Sequence, residues 1–296
     1  MIAFNRTTIV GVGLVLASAA GFGSMVVFGR WAYEDGVTPS SLLFMRFGIA
    51  SLLLFAMACR RSAPWPSRRA TAISGLMGLI FVGNSLGYFV ALSMAPAALV
   101  AVLFFTYPVV VMLGERLLFN EKFGALGVVA VVLAVGGSIL IAADQQLAAS
   151  AGAWLALLAA LFYGAYVLLS RATSREDRIA RTALITATPT VVLGAVAWPD
   201  GLALPTTARG WTGVLCLAIF SSVLAMAAFL AGTARIGPTY AATISAAEPA
   251  ISAILGAFVL NEPLALRGIL GVVLVVASTL LVLHVQPKTA PSPGAG

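Results

Sequence analysis

Glu248 lies about ten residues into an apolar stretch. That is roughly 15 Å along a helix axis, or half the thickness of a hydrocarbon core. A carboxyl at such depth is costly unless it faces protein or a water-filled cavity. Ser245, Glu248 and Ser252 follow at i, i+3 and i+7, which predicts one shared helix face. Two readings of Glu248 stand side by side. A structural Glu248 is a protonated carboxyl bonded to a neighbouring carbonyl or serine. A functional Glu248 binds an ammonium group or carries a coupling proton.

Other polar groups lie inside apolar stretches too. Asn84 and Tyr88 are one helical turn apart, and Phe162, Tyr163 and Tyr166 surround Gly164. Tyr107 immediately precedes Pro108. Aromatic rings with hydroxyls suit a pocket for amphipathic or aromatic metabolites. The candidate binding set is therefore Asn84, Tyr88, Tyr107, Tyr163, Ser245 and Glu248, with most phenylalanines read as packing. Pro108 and Pro249 each remove a backbone hydrogen bond and kink their helix. The freed carbonyls belong to Phe104 and Ser245, as substrate ligands, moving hinges or static kinks. Arg46 is read as snorkelling to the outer interface, with a substrate carboxylate as its other available partner. Glu115 and Arg116 are read as interfacial, and Glu121 and Glu262 as caps or gate contacts.

The elements that would position these groups are membrane spans. The chain is 61% hydrophobic and 9% charged, far below the charge of a water-soluble domain. Its charges cluster between apolar runs of about 20 residues, the length of a crossing helix. Ten runs are expected: 9–29, 41–59, 72–93, 97–117, 123–142, 152–170, 182–198, 210–231, 238–259 and 265–284. The first imitates a signal peptide, but apolar character continues to Phe28, so it is read as an uncleaved helix. The tail from 287 to 296 is Pro/Gly-rich and read as disordered.

With the N-terminus inside, thirteen basic residues fall in inner segments: Arg6, Arg60, Arg61, Arg68, Arg69, Arg116, Lys122, Arg171, Arg175, Arg178, Arg181, Arg235 and Lys288. Three fall outside: Arg30, Arg209 and Arg267. The positive-inside rule thus puts both termini in the cytoplasm. The net charge of +7 belongs to these loops and is no sign of nucleic acid.

Two phrases share their punctuation, "PVVVMLGERLLFNEK" from Pro108 and "PAISAILGAFVLNEP" from Pro249. One offset of 141 residues aligns Gly23 with Gly164, Arg30 with Arg171, Pro108 with Pro249, Asn120-Glu121 with Asn261-Glu262, and Gly127 with Gly268. The expected architecture is all-α, as repeats 1–148 and 149–286. Each repeat has five spans, an odd number, so the second enters the membrane inverted. Inverted repeats are common in secondary transporters. A duplication kept only for packing is the other reading.

The stretches "ALSMAPAALVAVLFFTYPVVVMLGERLLFNEKFG" and "GPTYAATISAAEPAISAILGAFVLNEPLALRG" resemble the EamA-type motif of the drug/metabolite transporter superfamily. The resemblance covers nearly the whole chain. It implies ten helices and transport of small metabolites, commonly export. Within the superfamily the chain looks most similar to bacterial amino-acid exporters of the YddG kind, which implies amino acids, aromatic ones included, as substrates. Other metabolites, cationic drugs or a passive pore are the alternatives.

An intramembrane enzyme is not expected. The one histidine, His284, ends the last span, no Asp lies inside a span, and no HExxH, GxSxG or phosphate-loop motif occurs. Cys59 and Cys216 have no metal-site spacing. No cofactor or metal is expected. The expected partners are a small-molecule substrate and the lipid bilayer. A second copy of the chain is allowed by the small residues Ala134, Gly136, Gly137 and Ser138.

Overall fold

The computed structural model describes residues 6–61, 65–94, 100, 103–142, 151–171, 178–199, 201–259 and 266–284. Asn261, Glu262, Arg175, Lys288, the repeat boundary at 148 and the tail from 287 lie outside these residues. The described chain is helical. The elements are α1 (Arg6–Gly23), α2 (Met25–Glu34), α3 (Pro39–Cys59), α4 (Arg68–Met94), α5 (Tyr107–Phe119), α6 (Ala125–Ala142) and α7 (Ala151–Ser170). Then follow α8 (Arg178–Ala197), α9 (Ala208–Cys216), a π-helical stretch Leu217–Leu224, α10 (Ala225–Ile236), α11 (Pro238–Ser245), α12 (Ala247–Val259) and α13 (Leu266–His284).

Seven helical stretches are long and apolar enough to cross a membrane, and α6 and α13 are shorter apolar helices. With α5 they make ten spans. The first (α1–α2), eighth (α9–α10) and ninth (α11–α12) are compound. Several helices start before the expected spans: α4 at Arg68, α8 at Arg178 and α9 at Ala208. Hydropathy marks only the part in hydrocarbon, whereas helices continue into the polar interface. There their caps take over. Thr38 Oγ1 accepts the Ser41 amide before Pro39 opens α3, and Thr207 Oγ1 accepts the Gly210 amide at the start of α9.

The packing repeats when the halves are exchanged. The first span packs on the eighth, and the third on the sixth; the first on the ninth, and the fourth on the sixth. The second and seventh, fourth and ninth, and fifth and tenth pair with their own mates. This is two-fold pseudosymmetry between five-span halves of opposite orientation.

Close approaches depend on absent side chains. A Cβ on Gly137 would stand 2.7 Å from the Gly271 carbonyl oxygen and 2.8 Å from Val275. The fifth span's small residues therefore pack on the tenth span of the same chain. Ser278 Oγ also donates to the Ala130 carbonyl there, at 2.8 Å. Gly137→Leu is expected to destabilise the protein by about 1–3 kcal/mol through overpacking. A thermal-unfolding series in detergent checks this, with Gly136→Leu, which has open space beside it, as the mild control. Pro189 sits inside α8. Gly78 of α4 lies against Ile185 O, the carbonyl that Pro189 leaves without its helical donor.

At one end of the bundle the α2–α3 corner is tied to the segment before α9. Asp35 accepts from the Thr206 amide (2.7 Å), the Thr206 hydroxyl (2.8 Å) and the Thr207 amide (2.9 Å). The Thr207 amide and then the Thr206 hydroxyl hold the Asp35 carboxyl below its ordinary value. A depressed carboxylate stabilises the fold above its unfolded pKa, about 4. The contribution is lost as pH falls through the lower folded value. Exchange of the Thr206 and Thr207 amides, corrected for intrinsic rate, is expected to be equal at pH 7 and 5 and faster at pH 3. Asp35→Ala should remove that pH dependence.

Candidate functional site

The aromatic side chains meet at the centre of the bundle. Phe104 touches four rings: Tyr88 at 5.2 Å, Phe105 at 5.4 Å, Tyr163 at 5.5 Å and Tyr107 at 5.6 Å between centroids. Tyr107 and Tyr163 meet edge to face at 4.7 Å. Tyr163 continues to Tyr166 (5.7 Å), Tyr166 to Phe81 (5.4 Å), and Phe81 to Phe47 (5.7 Å). One ring cluster thus joins the second, third, fourth and sixth spans. Phe229 of the eighth stacks on Tyr166.

The ninth span adds polar groups through a break in its helix. The chain turns at Ala246, where its amide donates to the Thr243 carbonyl (3.2 Å), and α12 starts at Ala247. The matching break in the fourth span is at Phe105–Thr106, before α5. Both prolines thus stand in the first turn of a new helix, where a missing amide costs little. The break corrects the expected single face of Ser245, Glu248 and Ser252. Ser245 ends α11 and reaches the Tyr107 hydroxyl, which also donates to the Ala242 carbonyl at 3.4 Å. Ser252 Oγ instead donates to the Gly23 carbonyl (3.1 Å). Glu248 is half-buried and within electrostatic reach of Tyr88, Tyr107, Tyr163 and Arg46.

Four of the six expected residues are thereby brought together, Tyr88, Tyr107, Tyr163 and Ser245, with Glu248 within electrostatic reach of the three tyrosines. The sixth, Asn84, shares the face of Phe81 and Tyr88 on α4. It is buried, and its Oδ1 has no hydrogen-bond partner among the described residues.

Arg46 departs from expectation. It does not snorkel. It is 6% exposed, its Nε donates to Ser222 Oγ at 2.7 Å, and its guanidinium lies 5.0 Å from the Phe47 ring centre. The π-helical turn makes this bond possible. Its wide backbone aims Ser221 Oγ at the Gly21 carbonyl (2.7 Å) and Ser222 at the second span. The first span is itself broken at Ser24, whose hydroxyl donates to Gly21 O at 2.8 Å. Its repeat mate α7 is unbroken, and Gly164 there admits Val110. A groove of about 580 Å³ opens beside this break, between Ala17, Ala20 and Gly21 of α1 and Phe220 and Leu224 of the eighth span. Its lining is almost wholly apolar, so it lacks the groups to orient a polar solute.

At the other end of the spans, Asn120 adopts φ 54° and ends α5 in a left-handed cap. The cap turns Glu121 back toward Arg171. Arg171 donates from Nη2 to Glu121 (2.9 Å) and from Nη1 to Glu115 (3.1 Å). Glu115 also accepts the Thr239 amide at 3.0 Å. The interfacial reading of Glu115 is therefore corrected: at 5% exposure it is the buried centre of a clamp on the fourth, sixth and ninth spans. The signal in the sequence was the repeated Asn-Glu, but no spacing rule ties it to Arg171.

Comparison with known proteins places this architecture. A protein of Bacillus subtilis (strain 168), Uncharacterized transporter YcbK, is 25% identical over 285 residues, 90% of each chain. Uncharacterized transporter YwfM of the same organism is 28% identical over 163 residues, 54% of this chain and 55% of that one. That match thus spans about half of the relative's length. A solved crystal structure shares the fold, with a TM-score of 0.80 at 17% identity over 95% of this chain and 97% of the other. Residues 9–143 match the EamA-like transporter family, and residues 150–284 match it again, at the same offset of 141 that aligns Pro108 with Pro249. Two successive matches, each covering one five-span half, show that this chain belongs to the EamA-like transporter family.

Proposed function

We propose that the protein is a secondary transporter of the bacterial inner membrane. It exports small metabolites, amino acids including aromatic ones among them, by alternating access at a midplane site. The observation that carries this reading is the cluster of the Tyr88, Phe104, Tyr107 and Tyr163 rings, with Glu248 within electrostatic reach of its three tyrosines. A carboxyl can hold an ammonium head while the rings take an apolar body. Ser245 and Asn84 supply hydrogen bonds at its edge. The halves 1–148 and 149–286 are the two moving units, with the breaks before Pro108 and Pro249 as their hinges. The excess of basic residues in the inner segments puts both termini and the Arg171 clamp in the cytoplasm. The clamp then closes the site to the cytoplasm in this conformation.

Counterflow in proteoliposomes tests the function. Preloaded amino acids, sugars and organic cations are compared for exchange with labelled external substrate. Saturable counterflow of amino acids is the expected result. A uniform, non-saturating leak would identify a passive pore, and saturable flux of organic cations alone would move the substrate class to cationic drugs.

A further inference from the structure

Arg46 and Glu248 are opposite charges supplied by different halves, and no ion pair among the described residues joins them. Arg46 lies about five residues into its span, roughly 7 Å from one face, and Glu248 roughly 15 Å from the other. Across a core of ~30 Å the two differ in depth by roughly 8 Å. Each is within electrostatic reach of the other, yet the ion pairs among the described residues do not include them. Two lone charges in a low-dielectric interior gain most by closing into contact. Here Ser222 Oγ holds Nε, and the Phe47 ring lies against the guanidinium. Nη1 and Nη2 make no hydrogen bond among the described residues. The chain of contacts Arg46–Ser222, Ser221–Gly21 and Gly23–Ser252 runs from this guanidinium, around the break in the first span, to the helix of Glu248.

We propose that Arg46 is the carboxylate-binding group of the transport site, so that the site selects zwitterions. The planar fork of Nη1 and Nη2 takes a carboxylate bidentately. Glu248 takes the ammonium group, and the Tyr88–Phe104–Tyr163 rings take the side chain. This rests on the proposed function and names its substrate class. A buried Arg46 and a half-buried Glu248, supplied by opposite halves, match the two charges of an α-amino acid in sign. A cationic amine alone leaves Arg46 unpaired, and an organic acid alone leaves Glu248 unpaired. Each mismatch is penalised, because a buried polar group without its partner is costly.

The test uses the purified full chain in proteoliposomes with labelled phenylalanine as the counterflow substrate. Phenethylamine and 3-phenylpropionate, which lack one charged group each, are the competitors. In the wild type, unlabelled phenylalanine should compete about 10–100-fold better than either. Arg46→Gln should weaken phenylalanine by about the same factor while leaving phenethylamine unchanged or improved, which removes the discrimination. Arg46→Lys should recover part of it, since the charge stays and the fork is lost. Equal competition by phenethylamine and phenylalanine in the wild type overturns the proposal, whatever the variants' yields. So does an Arg46→Gln protein in which all three compounds weaken together. Counterflow of no amino acid at all would instead overturn the proposed function.

Discussion

Glu248→Gln is expected to reduce counterflow about 10–100-fold, with folded yield close to that of the wild type. The substitution keeps the shape of the side chain and removes its charge. A hydrogen bond to a charged partner contributes about 1.5–3 kcal/mol, which sets that range. The effect should appear in flux and not in stability, because Glu248 is half-buried and stands apart from the ion pairs among the described residues. Counterflow measured beside size-exclusion yield separates the outcomes. Unchanged flux would make Glu248 structural and remove the centre of the site. A collapse of yield would assign the carboxyl to the fold.

Arg171→Gln is expected to open the end of the bundle that the clamp holds. The substitution leaves Glu115 buried beside Glu121 with its cation gone. Glu115 is buried but Arg171 is about a third exposed, so removing the cation costs about 1–3 kcal/mol, the range for a polar group left unpaired. A shift of that size moves a two-state equilibrium by about 5–150-fold. Ala242 is buried in this conformation, and its carbonyl accepts from Tyr107. In a background with Cys59 and Cys216 replaced by serine, Ala242→Cys should react slowly with an impermeant maleimide. Adding Arg171→Gln should raise that rate by about 5–150-fold from the clamped side. Adding Glu115→Gln as well should return part of the protection, since the carboxylate then left unpaired, Glu121, is much more exposed than Glu115. Unchanged labelling with a lower melting temperature would mean that the network supports the fold without gating it.

Much of this architecture was legible in the sequence. Apolar runs of about 20 residues, cut by charges, mark the spans, because hydrocarbon tolerates only backbone that satisfies itself. The offset that aligns Pro108 with Pro249 marks the halves, and five spans per half dictates the inversion. Tyr88, Tyr107, Tyr163, Ser245 and Glu248 were legible as polar atoms at costly depth. What the tertiary structure decided was direction and partnership. The turn at Ala246 sends Ser245 to Tyr107 and Ser252 to Gly23, although an unbroken helix would have aimed them together. The wide turn at Leu217–Leu224 presents Ser222 to Arg46 across 176 positions of sequence and keeps that charge inside. Arg171 gathers Glu115 and Glu121 from a different span. Periodicity reports how one helix divides its own surface between lipid and protein. It carries no information on how far a neighbouring helix is rotated or where its backbone breaks, and those two quantities determine which buried charges meet and which are held apart.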